Sequence, residues 1–389
     1  MKYNFDKVID RSGTSAEKVE GLKHIWGRTD LIPLWVADMD FATAPFVTDA
    51  IRKRCENEVL GYTGKPDSYY NAIINWVKQR YDLIVTKEVI NFVPGIVPGI
   101  GMAMNCFTQK GDKVMIQPPV YHPFAWVTTR NERTLVINPL KWENGMYRMD
   151  LDAFREQIKG CKLFILCNPH NPGGVVWTEA ELRAIADICY DEKVLVFSDE
   201  IHADLTLPPH THRPFATVSE KARMNSVTFM SPSKAFNMPG LSASHALIFN
   251  EDLRKRFRIY MDAGELDMGH VFAFLSVEAA YSHGTEWLDQ CLAYIQGNID
   301  FVDEFLKKHA PKIKAIRPEA SYLVWLDCRE LELSQKDLNE FFVDKAHLAL
   351  NDGEMFGKEG IGFMRLNVAS PRCIIEKAMK QLADAYQLY

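Results

Sequence analysis

Three runs constrain this chain most: LFILC (Leu163–Cys167), VLVFS (Val194–Ser198) and SVTFM (Ser226–Met230). Each is short, continuous and apolar. A strand that is apolar on both faces has no solvent side, so it belongs in a parallel sheet covered by helices. Helical stretches separate the runs. One spans Leu151–Lys159, and another opens at Thr178 and Glu181, whose T-x-x-E spacing forms a capping box before an apolar-periodic run to Tyr190. The strands DKVMIQ (Asp112–Gln117) and RTLVIN (Arg133–Asn138), with a helix from about Ile96 to Thr108, carry the alternation back to near residue 90. Strand–helix alternation predicts an open α/β sheet with crossover helices.

The rhythm changes after residue 285. A long helix, Glu286–Lys308, leads to the strand YLVWLD (Tyr322–Asp327). Ser334 and Asp337 open another helix, GFMRLNV (Gly362–Val368) reads as a strand, and a last helix follows Pro371. That helix places Ile374/Ile375, Ala378/Met379 and Leu382/Ala383 on one stripe. A chain of 389 residues is too long for one small core. The expected division is a large α/β domain over 46–285, a smaller α+β domain over 286–389, and an irregular N-terminal segment over 1–45 that packs with the smaller domain.

A net charge of -6, with no run of Lys or Arg, argues against nucleic acid as a partner. No apolar stretch is long enough to span a membrane, and MKYNFDKVID lacks the apolar run of a signal peptide. The eight cysteines form no CxxC and read as reduced, buried thiols of a cytoplasmic enzyme, with no metal expected.

Open parallel sheets bind ligands just beyond the carboxyl ends of their strands. After DKVMIQ come Tyr121 and His122, and after LFILC come Asn168, His170 and Asn171. VLVFS is followed by Asp199, Glu200 and His202, and SVTFM by Ser231, Ser233 and Lys234. A partly desolvated lysine can act as a nucleophile. Asp199 has no basic neighbour in sequence and suits a buried cationic ring nitrogen. Asn171 can donate to a phenolate oxygen, and Ser231 and Ser233 can hold a phosphate. The glycine-rich turn Pro94–Gly101 runs into a helix N-terminus, which is an anion site. A ring cation, a phenolate, a phosphate and an amine-reactive carbonyl together describe pyridoxal 5'-phosphate. Taken singly these signals are common: a lysine at a strand end is usually a solvated surface residue. The glycine turn is not GxGxxG, which sets aside a nicotinamide-dependent oxidoreductase.

NPHNPGG, SDEIH and SPSK, in this order, resemble the fold-type I pyridoxal-phosphate enzymes of the class I/II aminotransferase superfamily. IPLWVADMDF (Ile32–Phe41), GYTG (Gly61–Gly64), PPVYHPF and FMRLNVASPR (Phe363–Arg372) resemble its cystathionine β-lyase (C–S lyase) branch. The resemblance covers nearly the whole chain and implies the PLP-dependent transferase fold (type I). It also implies roles. Lys234 would be the Schiff-base lysine and proton shuttle, and Asp199 would pair with the pyridinium nitrogen. Asn171 would bond the ring oxygen, Tyr121 would stack on the ring, and His202 would line its outer face. The backbone at Ile96 and Val97, with Ser231 and Ser233, would hold the phosphate. Tyr62 would reach the phosphate of a neighbouring subunit, making the enzyme a homodimer with shared sites. Arg365, helped by Asn171 and Ala37, would clamp the α-carboxylate of a small amino-acid substrate. Trp35 and Asp38 would shape the pocket entrance, and Glu200 would point away from the cofactor.

The chain departs from the broader superfamily at Ser242, eight residues past Lys234, where many relatives carry a phosphate-binding arginine. β-Elimination to pyruvate, ammonia and a thiol, and transamination with a 2-oxo acid, use the same named residues. The branch motifs favour elimination. A pyridoxal-binding regulator would keep Lys234 but would not need Arg365.

Overall fold

The computed structural model describes residues 3–389. Its centre is a seven-stranded sheet in the spatial order Ile90–Val93, Ser244–Leu247, Ser226–Met230, Leu195–Asp199, Cys161–Cys167, Lys113–Ile116 and Thr134–Ile137. Only Ser244–Leu247 runs against its neighbours. The expected mostly parallel sheet is therefore present. The run LVFSD is buried from its second residue on and SVTFM is buried throughout, as sheets covered on both faces require. The Thr178 capping box closes as the spacing predicts, with Thr178 and Glu181 each accepting from the other's backbone N–H.

Register sets the functional edge. Cys167 lies opposite Asp199, and Asp199 opposite Phe229. Three neighbouring strands thus end level, and the segments that follow them emerge along one line.

A second sheet is antiparallel, in the order Lys314–Ile316, Leu323–Asp327, Phe363–Asn367 and Asn351–Asp352. The long helix runs from Thr285 to His309, and the last from Arg372 to Gln387. The last helix buries Ile375, Ala378, Met379, Leu382 and Ala383 on its inner stripe, with Ile374 only half-buried. The two sheets meet at the NPHNPGG turn. The Gly174 carbonyl accepts from Glu319 and Ala320 N–H. Gly174 has φ 69°, and a Cβ there would lie 2.5 Å from Pro318 Cβ, so both conformation and space require glycine.

Three expectations change. The first 45 residues are not wholly irregular: Glu17–Trp26 is a helix, and Ile32–Pro33 pairs in parallel with Leu348–Ala349. That helix gives a weak apolar pattern because it packs through Lys18, Gly21 and Leu22. It also starts at Ala16 without a side-chain cap. Ser244–Leu247 is a strand although S-H-A-L carries no apolar run. The cysteines are all free thiols and five are buried, but Cys55 and Cys373 are exposed.

Candidate active site

The level strand ends open into a cavity of about 210 Å³. Asp199 and His202 line one wall, Ser233 and Lys234 another, and Asn171 and Tyr121 a third. Ile96 and Val97, at the start of the helix Ile96–Phe107, close the floor with Gly95. No side chain caps that helix N-terminus, so its first N–H groups remain for a ligand. Ala37 and Ser242 line the cavity as well.

Asp199 is buried, and the one hydrogen bond to its carboxylate among the described residues comes from Ile201 N–H at 3.1 Å. It has no cationic partner in an ion pair among them. Burial therefore pushes its carboxyl up to about 7; the Ile201 bond opposes this and the neighbouring Glu200 charge adds to it. Lys234 Nζ donates to the Ala37 carbonyl at 2.6 Å. Burial first, then the Arg365 charge, brings its amine down to about 8, with Asp38 and Asp199 pulling the other way. Burial and the two cations lower His202 to about 3, and its Nδ1 has no partner. Tyr121 is half-buried, and burial raises its phenol. The Ser233 hydroxyl has no hydrogen-bond partner among the described residues.

Arg365 stands behind this cavity, buried, in the strand Phe363–Asn367. Register places Asn351 and Trp325 on either side of it. Its guanidinium donates to Asn171 Oδ1 at 3.0 Å, to the Trp35 carbonyl at 3.1 Å and to Asn351 Oδ1, and lies 4.8 Å over the Phe356 ring. Its Nε is buried without a partner. A buried guanidinium that meets only neutral acceptors lacks an anion.

Two expected residues fall elsewhere. The Ser231 hydroxyl donates to the Ala243 carbonyl at 2.7 Å and accepts from Ser233 N–H, so it shapes the loop and does not line the cavity. Tyr62 is 98 % exposed and touches no part of the cavity. His170 Nε2 meets the Pro119 carbonyl at 2.8 Å, away from the cavity wall. Glu200 points away as expected, towards Ser198, His212 and the Phe215 N–H. Sequence reasoning missed Asn351 and Tyr322. Tyr322 donates to the Ala37 carbonyl at 2.9 Å. Neither sits beside a motif, and only the register of the second sheet brings Asn351 to Arg365.

The residues fit pyridoxal phosphate on three observations. A buried carboxylate without a cation suits a ring N–H⁺. An uncapped helix N-terminus beside a free serine suits a phosphate. A partly desolvated lysine suits an aldehyde. Asn171 spends its oxygen on Arg365, which leaves its amide N–H groups for a ring oxygen.

Fold and site together define the type I pyridoxal-phosphate-dependent transferase fold. The profile of the family described as aminotransferase class I and II matches residues 29–382, and the chain belongs to that family. It is 38% identical over 384 residues to cystathionine β-lyase PatB of Bacillus subtilis, covering 98% of this chain and 99% of the relative. Among solved structures, a pyridoxal-phosphate-bound putative aminotransferase from Clostridium difficile superposes with a TM-score of 0.97 at 40% identity, covering 99% of this chain and 100% of the other. Cystalysin from Treponema denticola, which contains pyridoxal 5'-phosphate, gives 0.96 at 33% identity, covering 100% and 99%.

Proposed function

We propose that this chain is a pyridoxal-phosphate-dependent C–S β-lyase. It would convert an amino acid bearing sulfur at Cβ, with one water, into pyruvate, ammonia and a thiol. The observation that carries the reading is the pairing of Lys234 and Asp199 across one cavity with Arg365 behind it. The PatB relationship points the chemistry towards elimination.

Bound pyridoxal phosphate supplies an electron sink for charge that develops at the substrate Cα. Lys234 would hold the aldehyde carbon and would carry a proton to and from the substrate Cα. An amine poised near 8 takes up and returns a proton at neutral pH with little driving force wasted. Asp199 would hold a proton on the ring nitrogen; that cation in turn favours the ionised carboxylate. Arg365 would exchange its neutral acceptors for the substrate carboxylate in a two-pronged bond, which aligns Cα with Lys234. Tyr121 would cover the ring face. The uncapped helix N-terminus, with Ser233, would bind the phosphate without the arginine that Ser242 replaces.

Tyr62 belongs to the second half of the reading. It lies with Val59 and Leu60, at 73 % and 57 % exposure, on a segment without regular structure. Two apolar side chains and a tyrosine held out together suit a second copy of this chain, with Tyr62 reaching that copy's phosphate site. No helix among the described residues is long and apolar enough to cross a membrane, and a cytoplasmic site of action accords with eight free thiols.

The test is product analysis with cystathionine or cysteine as sole substrate. Pyruvate formed without any 2-oxo acid supports the lyase. Strict dependence on an added 2-oxo acid replaces it with transamination, the reading favoured by the Clostridium difficile structure's description. A chain that takes up pyridoxal phosphate but gives neither product is a binding protein.

A further inference from the structure

Lys18 of the N-terminal helix and Arg11 of the segment before it form a charge cluster with Asp38 and Asp40 that no role above explains. Lys18 is fully buried; its Nζ donates to Asp40 Oδ2 at 2.8 Å and lies 3.6 Å from Asp38 Oδ1. Arg11 forks onto Asp38, with contacts of 2.6 and 3.1 Å, and reaches Asp40 at 3.2 Å. Two cations therefore neutralise two carboxylates within a half-buried patch. An arrangement that desolvates four charges is weak evidence for stability, so its placement calls for another reason.

The placement is specific. Asp38 follows Ala37, whose carbonyl accepts from Lys234 Nζ and from the Tyr322 hydroxyl. Asn367 brackets Ala37, donating to the carbonyls of Val36 and Asp38 at 2.7 Å each. Trp35 Nε1 donates to the Lys18 carbonyl at 3.0 Å, and the Trp35 carbonyl accepts from Arg365. Gly21 lets this happen: a Cβ there would sit 3.1 Å from the Trp35 ring. The helix thus grips the segment on both sides of Ala37, the residue that touches the lysine.

We propose that Arg11 and Lys18 are positioning residues for Lys234: through Asp38 and Asp40 they hold the Ala37 carbonyl on the amine and cancel the Asp38 charge beside it. This deepens the function proposed above and rests on it for the role of Lys234. The groups facing that amine are Asp199 from the central sheet, Arg365 and Tyr322 from the second sheet, His202 and Tyr121 from the cavity wall, and Asp38. Among them, Asp38 is the one that Arg11 and Lys18 neutralise.

The test uses cofactor-free protein and acetic anhydride as an amine probe. Acetylation of the Lys234 peptide is followed against pH by mass spectrometry. The parent midpoint is expected near 8. Arg11→Gln leaves Asp38 uncompensated and raises the midpoint by about one pH unit, while Asp38→Asn lowers it by a similar amount. Arg11→Lys restores the parent value. Loosened packing would instead move every variant up towards the ordinary 10.5. No shift in either variant, or shifts of one sign in both, overturns the proposal. Where Arg11→Gln fails to fold, Asp38→Asn decides alone: a lowered midpoint supports the proposal and an unmoved or raised one rejects it. The probe needs neither cofactor nor substrate, so a failed pyruvate assay removes the proposed function without touching this result.

Discussion

Asp199 and Glu200 are neighbours, both buried, at the end of one strand. Glu200 turns into the protein and meets the Ser198 hydroxyl, the Phe215 N–H and His212 Nε2, each at 2.8 Å. Asp199 turns into the cavity and meets one backbone N–H. The same side-chain chemistry serves two ends. A carboxylate with all its donors supplied holds the structure, and one left short of partners waits for a ligand. Arg365 belongs with Asp199, since its guanidinium meets three neutral oxygens and no anion.

The largest expected effect tests the ligand side. On the proposed function, Lys234→Ala would remove both the covalent anchor and the proton carrier, so kcat should fall by at least about a thousandfold in a pyruvate assay. The visible absorbance of cofactor-loaded protein should vanish with it. A variant that keeps both would break the division at its centre. Arg365→Ala should cost about a hundredfold in kcat/KM, mostly through KM, because it removes a charge-assisted pair to the substrate while leaving the proton carrier in place.

The structural side is tested by Glu200→Ala. It leaves a hydroxyl, an N–H and an imidazole nitrogen buried without an acceptor. A loss of about 3 kcal/mol in unfolding free energy by denaturant titration should follow. Cofactor-loaded protein that still folds should keep most of its kcat. The comparison would collapse if Glu200→Ala lost kcat with no change in stability.

The last effect depends on pH and has a definite sign. The Asp199 carboxyl lies near 7 in the folded, cofactor-free protein, above the roughly 3.9 of an unfolded chain. The folded state therefore binds more protons between those values, and stability falls as pH rises from about 4 to 7. Asp199→Asn abolishes that fall. The variant should be more stable than the parent above pH 7, by as much as roughly 2–4 kcal/mol, and no more stable below pH 4. Thermal melts of both cofactor-free proteins against pH would show it. The same variant should bind pyridoxal phosphate more weakly, because it offers no charge to the ring cation.

Much of this was legible in the linear text because the relevant physics is local. A strand buried on both faces must be apolar along its length, so LFILC and SVTFM declare themselves. In an open parallel sheet the ligand edge is the carboxyl edge, so the polar residues just after those strands were the ones to inspect. Nine expected residues, Asn171, Asp199, His202, Lys234, Tyr121, Ile96, Val97, Ser233 and Ala37, do line one cavity. Ser231 shows the limit. Its place in SPSK matches that of Ser233, yet its hydroxyl is taken by the Ala243 carbonyl across the loop.

Strand periodicity and strand-end position depend on near neighbours, so the sheet class, its ligand edge and Lys234 as the candidate at that edge can be read along the chain. How that lysine is held cannot. The Ala37 carbonyl, Tyr322 and the helix bearing Lys18 come from segments far apart in the chain. They meet because one sheet docks against another and buries charge that the sequence shows only as scattered polar residues.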